Sequence, residues 1–355
     1  MKDKSIPSVI AGPCAAESLE QLLATAAPLA GSGVEVFRAG LWKPRTHPGC
    51  FEGVGAEGIP WMLEVKKRFG MKIATEVLSA QQAQLCVEAG LDIVWLGART
   101  TASPFLVQEI ADALSGSNMT VLVKNPQSAD VELWVGAVER LREAGANDII
   151  AVHRGCTPAS KSKYRNSPEW WMPLELRRRM PGLPLLCDPS HIAGTTLYIS
   201  EISQRALDLG FDGLMIECHC CPSQARSDAA QQLLPEDLGR LLSSLSFSPS
   251  SGDGTLRELS ELREKIDILD ERIVETLGQR LDICREIGRI KKEGGVGVRQ
   301  QSRWNEVMAS ALENGRRAGI PENMIVNIFS EIHRISIEEQ NKLLKYDSQE
   351  QKGLD

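Results

Sequence analysis

The chain has 355 residues and a formal net charge of −7, so it has no blanket positive charge to hold nucleic acid or an anionic membrane. It contains no apolar run of about 18 residues that would suggest a membrane span, and its opening MKDKSIPSVIAGPCAAES is too poor in apolar residues for a signal peptide. Nine cysteines, odd in number and irregularly spaced, fit reduced thiols in the cytoplasm better than a disulfide framework.

In chain order, eight short β-rich runs come first: SVIAGPC, VEVFRAG, KIATEV, IVWLGAR, TVLVKN, IIAVHRG, PLLCDPSH and GLMIECH. Each is apolar nearly throughout, as a parallel strand covered on both faces requires. Helical patterns such as SAQQAQLCVEAG and VELWVGAVERLREAG separate them, and several end in the stop residue Gly. This alternation predicts an α/β fold, a (β/α)8 TIM barrel over residues 1–245, with its working residues at the C-terminal strand ends. An open doubly wound sheet is the competitor, but no GxGxxG follows the first strand.

Residues 246–254 lie in a Ser-, Gly- and Pro-rich stretch that reads as a linker. An all-α segment over 255–345 follows, then a polar tail, 346–355. Its first helix carries Leu256, Leu259, Leu262, Ile266, Leu269, Ile273, Leu277, Leu281, Cys284 and Ile287 at 3–4 spacing without a Pro. Such a helix, roughly 50 Å long, is too long for a lone small domain, so its apolar face is expected to meet a second copy. Two shorter helices are predicted at about 300–315 and 321–345.

Three metal-donor side chains cluster late in the barrel pattern: His191 and Glu217 just past two strands, and Asp228 beyond. Cys14 follows the first strand, and closure of a barrel sets strand 1 beside strand 8, within reach of the other three. One soft, one borderline and two hard donors suit a divalent Mn, Fe, Co or Zn. Cys218, Cys220 and Cys221 lack the paired spacing of a zinc knot and are read as packing. Cations recur at the same rim: Arg38, Lys43, Arg99, Lys124 and Arg154. Any one is unremarkable at a strand end, but five on one rim describe a pocket for a small polyanion. On the long helix, Arg280 and Lys291 lie three turns apart on one face, while Arg263 falls about 100° away, where it serves a shared site best from another subunit.

The motifs AGPCAAES, FRAGLWKPRTHP, GART, VKNP, HRG, DPSH and IECH followed by SD resemble 3-deoxy-D-arabino-heptulosonate 7-phosphate (DAHP) synthases of the short, type I beta-like kind. The resemblance covers roughly residues 5–245. It implies condensation of phosphoenolpyruvate with erythrose 4-phosphate, the entry to the shikimate pathway. By matching position it implies Cys14, His191, Glu217 and Asp228 as metal ligands. Arg38 and Lys43 would hold the phosphoenolpyruvate carboxylate end, and Arg99, Lys124 and Arg154 its phosphate, with a backbone amide from Ala98. Pro44, Arg45 and Thr46 would line the erythrose 4-phosphate site, Asp188 would lie beside the metal and the aldehyde, and Lys43 would give a proton to the forming alkoxide. A related barrel acting on arabinose 5-phosphate is the rival, against which KPRT at 43–46 argues.

Residues 256–345 resemble the all-helical chorismate mutases, whose intertwined dimers convert chorismate to prephenate. The resemblance places Arg263 (from the partner), Arg280, Lys291, Arg303, Ser336 and Gln340 in the active site, with Lys291 and Gln340 donating to the ether oxygen. Gln300 replaces a usual Asp, and Trp304 a usual Glu that contacts the substrate hydroxyl. A bifunctional enzyme is expected, with a non-catalytic chorismate- or prephenate-sensing dimerisation domain as the alternative. The barrel pattern opens almost at residue 1, which makes the helical domain the expected route of feedback by prephenate.

Overall fold

The computed structural model describes residues 8–146, 148–158, 162–246, 254–294 and 301–345; side chains at 254–261, 263–265, 301 and 343–345 are not part of that description. The expected linker lies almost wholly outside the described residues, as do the tail, Gln300 and the side chain of Arg263. The chain divides into two compact units, Met1–Lys265 and Ile266–Asp355.

The first unit alternates strand and helix. Strands β1 (Ser8–Gly12), β2 (Val36–Arg38), β3 (Lys72–Val77) and β4 (Ile93–Leu96) lead into β5 (Thr120–Lys124), β6 (Ile149–His153), β7 (Leu185–Cys187) and β8 (Gly213–Glu217). Outside them run α1 (Leu19–Leu29), α2 (Ile59–Phe69), α3 (Ala80–Ala89), α4 (Ala98–Thr101) and α5 (Pro104–Leu114). Then come α6 (Val131–Glu143), α7 (Trp171–Arg179), α8 (Pro189–Ala193), α9 (Ile199–Asp208) and α10 (Pro235–Ser244). All eight strands pair in parallel and in sequence order into a closed barrel. Ser18, Ser79 and Asp130 cap α1, α3 and α6 by accepting from backbone amides, and Gly70 and Gly90 end α2 and α3 in the left-handed conformation.

Inward-facing residues from every strand fill the barrel: Ile10, Val36, Ala74, Ile93, Trp95, Leu122, Val152, Leu186 and Met215. This is a packed interior, so any pocket must open above it. Closure sets Gly12 opposite Glu217 and brings Cys14 to the end of β8. Gly12 has a positive φ of 147°, and a Cβ there would meet the Arg38 carbonyl oxygen at 2.2 Å, so only glycine lets β1 and β2 approach this closely.

The second unit is helical: most of α11 (Gly254–Glu293), then α12 (Gln301–Arg317) and α13 (Glu322–Lys345). At 40 residues α11 is longer than expected from the apolar stripe, about 60 Å at 1.5 Å per residue. Its stripe is mostly exposed: Leu262, Ile266, Leu269, Ile273, Val274, Ile287 and Ile290 face outward, while Ile268 and Cys284 are buried. The α12–α13 hairpin packs on Ala311 and Ile325, and a Cβ at Gly315 would meet Ile325 Cγ1 at 2.6 Å.

Candidate active sites

Above the barrel core, the Trp95 indole is both ceiling of the packed interior and floor of a cavity of about 350 Å³. The Arg38 guanidinium lies 4.8 Å from its ring centroid and Lys124 Nζ 5.8 Å, so two cations share one aromatic ring. Arg38 and Lys124 end β2 and β5, while Lys43, Arg99 and Arg154 follow β2, β4 and β6, as their strand-end spacing implied; all five line the cavity.

The charges are arranged in buried pairs. Arg38 Nη2 donates to Glu217 Oε1 at 3.1 Å, and Lys124 Nζ to Asp188 Oδ2 at 2.7 Å. Arg38 Nε and Nη1 are buried and, among the described residues, have no hydrogen-bond partner. Unpaired buried donors on a cation are costly, which an anion in the cavity would relieve. Lys43 Nζ donates to the Cys14 carbonyl at 3.1 Å and stands 3.8 Å from Glu76. Burial works against the Lys43 charge, but Cys14, Glu76 and Glu217 around it more than compensate and hold its pKa above the usual value.

Pro44, Arg45, Thr46 and Ala98 all line the same cavity. Arg99 reaches across to donate to the Pro44 carbonyl and to Thr46 Oγ1, at 3.2 and 3.0 Å. Asp188 does not line the cavity. It is fully buried beneath it, caps α8 by accepting from the His191 amide, and pairs with Lys124.

Beside the cavity, donor atoms of Cys14, Glu217 and Asp228 all lie within 4.8 Å of one another, and Cys14 Sγ is 3.3 Å from Asp228 Oδ2. His191 stands at the edge of this group, Nε2 3.8 Å from Glu217 Oε1 and Nδ1 2.8 Å from Asp188 Oδ2. A carboxylate on one imidazole nitrogen leaves the other to face an ion. Burial lowers the His191 pKa, against the opposing pull of Asp188 and Glu217. Burial raises Glu217 and Asp228, but His191 with Arg38 in the first case, and His191 with Arg165 and Lys43 in the second, outweigh it, so both stay ionised. The Cys14 thiol is pushed up to about 12, chiefly by burial and then by Glu217. Sulfur, oxygen and nitrogen donors at these separations fit one divalent transition ion. Asp228 adopts a left-handed backbone (φ 49°), uncommon outside glycine and typical of strain held at a working residue.

Several participants carried no readable signal. Trp95 sits in an apolar strand run and looks like core. Arg165, Asn166 and Gln127 line the cavity from irregular segments, and Glu76 looks like one more strand-end carboxylate. Gln231 and Gln232 brace the donors: Gln231 Nε2 donates to Glu217 Oε2 at 2.7 Å, and Gln232 Oε1 accepts from the Cys14 amide at 2.9 Å. Among the adjacent cysteines, the His219 ring turns aside to accept from the Cys221 amide at 2.9 Å, near Glu17.

In the helical unit, α11 and α13 bring four expected residues together. Arg280 Nη1 donates to Ser336 Oγ at 2.6 Å, and Lys291 Nζ to Gln340 Oε1 at 3.4 Å, with Ser336 and Gln340 both buried. Arg303, on α12, is exposed, pairs with Glu306 and does not join that bonded set. Trp304 stacks on His333 with ring centroids 4.2 Å apart.

A closed parallel barrel whose C-terminal strand ends gather thiol and carboxylate donors beside a cationic pocket defines the class: a TIM barrel with its site on the top face. The chain belongs to the DAHP synthetase I family, whose profile matches residues 2–247, and residues 262–341 match the chorismate mutase type II profile. A phospho-2-dehydro-3-deoxyheptonate aldolase of Thermotoga maritima is 33% identical over 227 residues, 64% of this chain. The match spans 65% of that relative, just under two-thirds of its length. A 2-dehydro-3-deoxyphosphooctonate aldolase of Synechococcus is 28% identical over 59% of this chain and 76% of its own. The crystal structure of the Thermotoga maritima DAHP synthase superposes with a TM-score of 0.61 at 30% identity, covering 67% of this chain and 68% of that one. A truncated form of the Thermotoga enzyme gives 0.58 at 29% identity, over 67% and 85%. No described helix is long and apolar enough to cross a membrane.

Proposed function

We propose that the barrel, residues 1–245, condenses phosphoenolpyruvate with erythrose 4-phosphate to DAHP and inorganic phosphate. The reading is carried by Arg38, a buried cation with two unsatisfied donor nitrogens over Trp95, next to the donor cluster of Cys14, Glu217 and Asp228. Arg38 and Lys43 hold the carboxylate end of phosphoenolpyruvate, and Arg99, Lys124 and Arg154 its phosphate, with the Ala98 amide. Pro44, Arg45 and Thr46 form the wall against which erythrose 4-phosphate lies. The enol carbon bonds to the aldehyde carbon, water adds at C2, and the C–O bond to phosphate breaks with phosphate as leaving group. Cys14, His191, Glu217 and Asp228 would hold a divalent ion, which would supply Lewis acidity for the aldehyde. Lys43, kept protonated by its surroundings, delivers the proton that the new alkoxide needs. Fixing two anions face to face is the larger part of the task.

The helical region, 255–345, rearranges chorismate to prephenate as an intertwined homodimer, the exposed stripe of α11 being the surface that the second copy covers. Arg280, Arg303 and the partner's Arg263 hold the two carboxylates beside Ser336, and Lys291 and Gln340 donate to the ether oxygen as charge grows there. Prephenate bound here feeds back on the barrel, and both activities belong to the cytoplasm. The stack of Trp304 on His333, where the mutases resembled here carry a Glu at 304, favours a second reading, a sensing and dimerising domain without catalysis.

The test is one preparation assayed for phosphoenolpyruvate consumption, with erythrose 4-phosphate or arabinose 5-phosphate, and for chorismate loss, before and after chelation. Consumption should need erythrose 4-phosphate and metal, fall on adding prephenate, and leave chorismate rearrangement unaffected by the chelator. Preference for arabinose 5-phosphate would overturn the first assignment, and chorismate left unconsumed would leave the sensing domain as the reading.

A further inference from the structure

We propose that Arg165 is a positioning residue that shuttles between the metal donors and the anion pocket, so that filling either one tightens the other. The proposal rests on the metal-dependent reading of the barrel given above. Arg165 lies between β6 and α7, outside the strand-end series of cations. Its Nη1 donates to Asp228 Oδ1 at 3.0 Å and to Gln231 Oε1 at 2.8 Å, while its side chain, about half exposed, lines the cavity. Gln231 passes the link on, its Nε2 donating to Glu217 Oε2. One guanidinium is thus tied directly to one metal donor and through an amide to a second.

The segment carrying it is firmly docked. The amides of Arg165 and Asn166 donate to the carbonyls of Ala193 and Ile192 at 3.2 and 3.1 Å, and Ser167 exchanges two backbone bonds with Cys156. Gly194 makes the docking possible: its φ is 70°, and a Cβ there would meet Arg165 Cβ at 2.4 Å. Asn166 joins the two ends of the site, its Nδ2 donating to the His191 carbonyl at 2.6 Å and its Oδ1 accepting from Arg154 Nη1 at 2.8 Å. The backbone of Arg165 is therefore fixed while its long side chain, in contact with solvent, can swing.

Competition for charge gives the coupling its sign. Without an ion, the Asp228 carboxylate attracts Arg165. An ion taking up that carboxylate neutralises it and frees the guanidinium for an anion in the cavity it already lines. Conversely, an anion that draws Arg165 inward clears Asp228 Oδ1 for the ion. Reciprocity requires the two effects to be equal in binding free energy.

The experiment measures manganese(II) affinity of the full chain by competition with a fluorescent chelator, with and without saturating inorganic phosphate. In the unaltered protein phosphate should tighten manganese binding about fivefold or more. In Arg165→Ala the phosphate effect should fall below about twofold, while manganese without phosphate binds at least as tightly as before, because a competing cation is gone. Arg165→Lys, which keeps the charge, should restore part of the effect. The proposal is overturned if the unaltered protein shows no phosphate effect, if Arg165→Ala keeps it, or if Arg165→Ala binds manganese more weakly under both conditions, the mark of a merely structural residue. None of these readouts uses turnover; DAHP formation in the same preparations is the separate measurement on which the synthase reading stands or falls.

Discussion

The barrel and the helical unit use the same kinds of side chain under opposite conditions. In the barrel, Arg38, Lys43, Lys124 and Arg154 are buried, and closure of the sheet delivers carboxylates to them: Glu217 to Arg38, Asp188 to Lys124, Glu76 to Lys43. In the helical unit, Arg280 and Lys291 reach the neutral Ser336 and Gln340, and the apolar stripe of α11 stays exposed. A sheet closed on itself brings these charge pairs together within one chain. Three helices with an open face leave room for another copy to complete their site, as proposed above.

Substitutions can separate the two regions. The largest effect is expected from Cys14→Ala, which removes the soft donor: manganese binding should be lost and DAHP formation should fall by about a thousandfold. Chorismate rearrangement in the same protein should be unchanged; if both activities fall together, the two sites are not independent. Arg280→Ala should do the reverse, slowing rearrangement by roughly 10²–10³-fold with DAHP formation intact. A smaller effect should follow Ile273→Lys, which sets a charge in the exposed stripe of α11. Each buried side chain of this size contributes about 1.5–3 kcal/mol and the substitution occurs once in each copy, so the dimer should weaken at least about a hundredfold on sedimentation. A sedimentation profile unchanged by Ile273→Lys would move the interface elsewhere.

The smallest effect sharpens the metal site through pH. The Cys14 thiol is pushed up to about 12 by burial and by Glu217, so it holds its proton at neutral pH, whereas Glu217 and Asp228 are held below the usual carboxylate range. An ion entering the site therefore displaces one proton, from sulfur. Affinity should rise with pH, about tenfold per unit between about pH 6.5 and about pH 8.5, with one proton released per ion by calorimetry in different buffers. A flat profile would remove Cys14 from the donor set.

Much of the barrel was legible because its signals are local. Eight apolar runs of strand length, separated by capped helices, leave few architectures open, and strand-end position alone marked Arg38, Lys43, Arg99, Lys124 and Arg154. Cys14 was readable only through topology, since nothing near it in sequence suggests a donor. Arg165, Asn166 and Gln231 were not readable, because an irregular loop has no periodicity from which to place a side chain. The stripe of α11 was read as apolar and as a face for a second copy, and in the single chain most of its described residues are exposed.

The amino-acid sequence by itself determined the number and order of the strands, the cations at their ends and the all-helical character of the last third. These depend on spacing along the chain and on the period of each element. Only the tertiary structure decided which donors meet. The β1–β8 pairing sets Gly12 opposite Glu217, Trp95 becomes a ring shared by two cations, and Asp188 sinks beneath the cavity to hold Lys124. The physical reason is the closure of the sheet: residues some two hundred positions apart become neighbours, and burial then fixes the charge each one carries.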